Sequence, residues 1–201
     1  MGWDDIGHDD KGEYFRSRII ASRPTLLELY QKTRSFHAEW SGVADWYKRA
    51  QAEDEGGPES YDGEFELRQH ERVEELLEGR AFLDAANAYA QAFVMVVDPA
   101  LTELRSSVHN IFVLGPFLHD DIRLSKALWQ LADTVRHGHP GTKHVNETLT
   151  GLGIKPKSSD APREFIMQWC PATYTPFERM LLEIGHAATD WLRANGKVPG
   201  F

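Results

Sequence analysis

Three of the nine histidines fall within eight residues of one another, in the stretch Ala132-Asp133-Thr134-Val135-Arg136-His137-Gly138-His139-Pro140-Gly141-Thr142-Lys143-His144. An arginine and a lysine stand beside them. Imidazole changes charge near neutral pH, so it can give and take a proton during a reaction. A neighbouring guanidinium can steady negative charge that develops on a phosphorus centre. The chemistry these residue types suit is proton transfer around a phosphate ester. A second reading of the same residues is architectural. At the C-terminal end of a helix, His137 and His139 favour the negative pole of the helix dipole and can satisfy its last carbonyls.

A long helix ending in an arginine and a polar residue, followed shortly by a histidine, resembles the active-site motif of HEPN-domain proteins. In that comparison Arg136 is the motif arginine, His137 the polar residue after it and His144 the motif histidine, with His139 as a second candidate. Seven residues lie between Arg136 and His144, and two between Arg136 and His139. The resemblance spans the region from Ala81 to Leu152. It implies a small all-α bundle and a metal-independent ribonuclease of prokaryotic defence or toxin biology, or a degenerate relative. It also implies a homodimer that brings two copies of the motif to one RNA substrate.

Leu118-His119-Asp120-Asp121-Ile122 is a second constellation. Its His-Asp dyad is similar to that of HD-domain phosphohydrolases, which makes His119 and Asp120 candidate metal ligands, with His109 and Asp133 as conceivable companions. The aspartate pair is similar to the first acidic motif of isoprenyl diphosphate synthases, but Leu124 and Ser125 stand where that motif needs a third carboxylate. The plainer reading is a pair of helix-start carboxylates on a solvated turn. His37, beside Phe36 and Trp40, reads as a hydrogen-bonded core or boundary histidine. His186 follows Gly185, which marks a close helix contact. Cys170, between Trp169 and Pro171, reads as an inert, semi-buried thiol. No glycine-rich phosphate loop, nucleophile elbow or HExxH is present, so no cofactor is expected.

The elements that must position these groups follow helix periodicity throughout, with no period-2 strand run. Tyr14 to Ala21 predicts a short helix, with Ser22-Arg23-Pro24 as a restart. Leu26, Leu29, Tyr30, Thr33, Phe36, His37, Trp40, Val43, Ala44 and Tyr47 then form one apolar stripe on a helix ending near Ala50. A polar loop is expected near 52–63. After it comes a charged helix over Glu64 to Glu78 that buries Phe65, Val73, Leu76 and Leu77 and stops at Gly79. Residues 81–97 are nearly all apolar and predict a central helix, ended by Asp98-Pro99, with another running from there to Gly115-Pro116. A helix from about His119 to His137 follows, then a short one over Thr142 to Leu152 and a piece around Phe165 to Trp169. Thr175-Pro176-Phe177-Glu178 reads as a capping box opening the last helix, which Gly196 closes. The expectation is an all-α, single-domain bundle of six to eight helices over 13–201, after a mobile segment 1–12.

Composition narrows the function classes. The 41 % hydrophobic and 26 % charged content is globular usage, and 201 residues suit one domain. The longest apolar run, Ala92 to Val97, is far short of the roughly 20 residues of a membrane span. A single cysteine permits no internal disulfide, and the acidic N-terminus lacks a secretory pattern, so a cytoplasmic location is expected. A net charge of −9 opposes broad binding along nucleic-acid phosphates. It leaves a second function class beside the ribonuclease: a non-enzymatic acidic interaction protein, such as an antitoxin or immunity protein. Glu71, Glu74, Glu75 and Glu78 would then meet a basic partner, unless they are only a solvated helix face.

Overall fold

The apolar stripes of the sequence become the inward faces of helices in the computed structural model, which describes residues 11–55, 63–108, 110–137, 143–155 and 158–195. Among the described residues there are seven α-helices: α1 (Lys11–Ala21), α2 (Arg23–Glu55), α3 (Gly63–Ser107), α4 (Leu124–His137), α5 (Lys143–Gly151), α6 (Ala161–Trp169) and α7 (Tyr174–Asn195). A 3₁₀ turn at Ile111–Val113 and a two-stranded antiparallel hairpin, β1 (Phe117–His119) and β2 (Ile122–Arg123), fill the link from α3 to α4. The fold is an all-α, single-domain bundle.

Helix α3 is its axis, with α1, α2, α4 and α6 all packed against it. The core gathers Phe15 and Ile19 of α1, Leu26 and Tyr30 of α2, Phe93, Val97, Leu101 and Leu104 of α3, Phe165 of α6, and Phe177 and Leu181 of α7. Aromatic rings knit its centre: Tyr30 lies 5.9 Å from Phe93, 5.7 Å from Tyr174 and 5.5 Å from Phe177. Such pairs add to the area they bury. Helix α1 closes on α7 through a glycine on each helix, with the Thr189 and Arg16 side chains packed beside them. A Cβ on Gly12 would lie 2.6 Å from the Thr189 backbone nitrogen, and one on Gly185 would lie 2.7 Å from the Gly12 carbonyl.

Several boundaries differ from the sequence expectation, each for a tertiary reason. Helix α3 runs unbroken through Gly79 and Pro99. A proline inside a helix costs about 3 kcal/mol, but Val97, Ala100, Leu101 and Leu104 are buried on both sides of it, and that burial holds the helix together. Gly79 is buried against α2, where a Cβ would lie 2.6 Å from Val43 Cγ1, so it permits close packing rather than ending the helix. The helix expected from His119 starts at Leu124, and the preceding residues form the hairpin. Helix α7 begins at Tyr174, which places Thr175 within the helix, and Glu178 is paired with Arg23 Nε at 3.2 Å. Helix α2 continues to Glu55, leaving 56–62 of the expected loop outside the described residues, as is Gly196. Lys11 and Gly12, expected in a mobile segment, belong to α1, and Lys11 Nζ pairs with Glu103 at 2.7 Å.

Helices α2 and α3 are long, about 50 and 68 Å at 1.5 Å per residue. Only the first part of α2 and the last part of α3 join the core. Between Ser41 and Ala52, and between His70 and Ala85, Ala50 and Gly79 are the only buried residues. This stretch is a two-helix arm, joined to the bundle through the stacked rings of Phe36, Phe82 and Tyr89.

Candidate functional site

The end of α4 brings Arg136 and His137 together with Asp133, one helical turn back. Arg136 Nη2 lies 3.6 Å from Asp98 Oδ1 and 3.9 Å from Asp133 Oδ1, and His137 Nε2 is 3.5 Å from Asp133 Oδ1. The Arg136 guanidinium also sits over Trp129, 5.1 Å from the ring centroid, with Arg105 of α3 over the same indole at 4.5 Å. Asp98 is buried in α3, and desolvation raises its carboxyl above its ordinary value while Arg136 pulls it down. Two carboxylates and an indole therefore share the guanidinium, whose side chain stays 31 % exposed. His139 lies outside the described residues, as does His109. His144 falls in the first turn of α5. The structure thus joins Arg136 to His137 and places Asp133 and Asp98 beside them.

The second constellation forms the hairpin turn. Asp120 adopts a left-handed backbone, φ 44°, which aspartate tolerates better than most residues. His119 pairs with Asp120 at 3.4 Å and its ring lies 5.6 Å from that of Trp169. Among the described residues no three side chains of metal-ligand type converge.

A polar cluster whose members are far apart in the chain lies between α2, α3 and α6. Arg163, 7 % exposed, donates from Nε to Asn87 Oδ1 at 2.8 Å, and its Nη2 lies 3.5 Å from Asp160 Oδ2. Asn87 Nδ2 donates to Asp160 Oδ1 at 2.8 Å, while Arg163 Nη1 is 3.2 Å from His37 Nδ1. Burial, with the charges of Arg163 and Arg34, lowers the pKa of His37. Every member has a partner, which marks the cluster as a structural clamp at the root of the arm. Cys170 is buried and its thiol is pushed well above the ordinary value by desolvation, so it carries little nucleophile.

No family model, curated protein or solved structure matches the chain.

The geometry singles out the arm. Val73, Leu76 and Leu77, expected to be buried, are 50, 41 and 63 % exposed. Gly79 faces α2, and Leu77, two residues before it, points roughly 160° away around the helix. Helix α2 cannot cover both sides of α3, and nothing else in the described fold reaches this face. Glu71, Glu74, Glu75 and Glu78, all exposed, are interleaved with the apolar residues. Glu74 meets His70 at 3.7 Å, but carboxylates three and four residues apart repel one another, costing about 0.2–0.5 kcal/mol a pair. The face combines exposed aliphatic groups with like charges, and neither stabilises the free chain.

Proposed function

We propose that the chain is an interaction protein whose α2–α3 arm docks a basic partner on the face of Val73, Leu76 and Leu77. The observation that carries this reading is the exposure of three large aliphatic side chains within an acidic run. A partner burying them removes apolar area from water at roughly 25 cal/mol per Å². Lysine or arginine around its apolar contacts would answer the four glutamates and relieve their mutual repulsion. A second copy of the chain fits worse, because it would set glutamates against glutamates. The partner chemistry that fits is an amphipathic helix with a basic rim, laid along α3.

The test uses a designed peptide helix with a leucine stripe and lysine flanks, and the same stripe flanked by glutamate. The full chain binds the basic peptide and not the acidic one, and Leu76→Asp/Leu77→Asp reduces binding at least about tenfold, 1.4 kcal/mol or more. Because both leucines are exposed, the variant melts close to the wild type. Equal binding of both peptides, binding untouched by the substitutions, or self-association through the arm in sedimentation overturns the reading.

A second reading, the HEPN-like ribonuclease, draws support from the adjacency of Arg136 and His137 beside Asp133, with Arg136 31 % exposed in its side chain. It requires a homodimer, and it predicts RNA cleavage that Arg136→Ala abolishes. Intact RNA with the wild-type protein at high concentration removes it.

A further inference from the structure

A row of side chains on one face of α2 ties that helix to α6 and to the loop after it. Tyr30 donates to the Pro171 carbonyl, and Arg34 Nη1 donates to the carbonyls of Ile166 at 3.0 Å and Pro171 at 3.3 Å. His37 Nδ1 meets Arg163 Nη1 at 3.2 Å, and the Arg163 guanidinium lies 5.6 Å from the Trp40 ring centroid. Steps of three and four residues put all four on one side of the helix. From Ser41 outward α2 belongs to the arm. His37 and Trp40 are therefore the outermost of these ties, at the point where α2 leaves the bundle.

A proton affects these ties differently. A guanidinium only donates, so the contact with Arg163 requires a lone pair on His37 Nδ1, with the ring hydrogen on Nε2. An imidazolium has no lone pair to offer and sets a second cation against the first. Arg163 keeps its place without the histidine, because Asn87 Oδ1 of α3 and Asp160 Oδ2 also hold it. The inner ties, from a phenol and a guanidinium to carbonyls, do not titrate where imidazole does. His37 is half-buried, so solvent protons can reach it. Among the described residues, the charges acting on its ring are Arg163 of α6 and Arg34 of its own helix. The neutral Asn87 of α3 and the Asp160 carboxylate lie beyond Arg163, and no charge from α1 or α7 acts on the ring.

We propose that His37 and Arg163 form a proton-released latch at the base of the arm. The neutral imidazole fastens α2 to α6 there. Protonation unfastens it, while Phe36, Phe82 and Tyr89 keep α2 paired with α3. The latch is independent of what docks on the arm. Its test is hydrogen exchange of the full chain, compared as protection factors at about pH 7.5 and about pH 5. Protection over residues 35–41 and 161–169 falls at least about fivefold at the lower pH, while that of α7 changes less than about twofold. In His37→Gln, whose amide oxygen accepts from Arg163 without titrating, both segments keep their protection at both pH values. In the wild type, the NMR resonances of the His37 ring titrate with the midpoint at which protection is lost. Unchanged protection in the wild type, or an equal loss in His37→Gln, overturns the latch. So does an equal loss across α7, which marks general destabilisation, or a His37 midpoint apart from that of the exchange.

Discussion

His37 illustrates how little of a residue's behaviour is set by its own type. Its imidazole faces Arg163 of α6, and Arg34 and Trp40 of its own helix, with Asn87 and Asp160 behind the arginine. Burial first, then the two guanidinium charges, hold it below the ordinary 6.5. The folded chain therefore refuses a proton that the unfolded chain accepts. This group's contribution is complete above pH 6.5 and is lost as the pH falls from there toward the folded-state value. Urea midpoints should thus drop between about pH 8 and about pH 5.5, and drop less in His37→Gln, whose side-chain oxygen can still accept from Arg163. Equal slopes in the two proteins would clear His37 of the effect. The histidine was readable from the sequence as a hydrogen-bonded boundary residue. Arg163 was not, because besides Asp160 in the preceding turn its partners lie 76 and 126 residues away.

Among the elements, the crossing of α1 on α7 depends on two glycines that let the backbones approach closely. Gly185 stood out in the sequence as a close contact, whereas Gly12 lay in a segment expected to be mobile. Gly12→Ala puts a methyl group against Gly185 O and the Thr189 backbone, which cannot move aside as a side-chain tip would. A loss of about 1–3 kcal/mol is expected, visible in chemical or thermal unfolding. An unchanged melting temperature would mean that α1 is not held on α7 in this way. Pro99 and Gly79 carry the opposite lesson. Both were local stop signals, and both lie inside α3, because breaker penalties of a few kcal/mol are smaller than the burial that a continuous central helix secures.

The whole molecule is a bundle with an acidic, partly apolar arm, and among its described residues no helix is long and apolar enough to cross a membrane. With a net charge of −9, attraction to a basic helix is long-ranged and screened by salt. Binding of the lysine-flanked peptide should therefore weaken steadily as salt rises from about 0.05 to about 0.5 M, while the leucine contribution persists. Affinity unchanged across that range would make the contact purely apolar and deny the glutamates a part in it.

The sequence alone determined the fold class, the order of the helices and most of their inward faces, since a 3.6-residue apolar period is a local property of the chain. It also picked out the Arg136 stretch, the His119–Asp121 turn and the glutamate run as chemically unusual. Tertiary structure decided what each became. The stripe carrying Val73, Leu76 and Leu77 has the same period as a buried one, and only the placement of α2 against Gly79 rather than over these residues leaves it open. Arg136 has the residue type of a phosphate-binding group, and the packing of α3 on α4 adds the buried Asp98 to its local partners Asp133 and Trp129. Periodicity states that a face is apolar; which face finds a partner is settled by the packing of elements far apart in the chain.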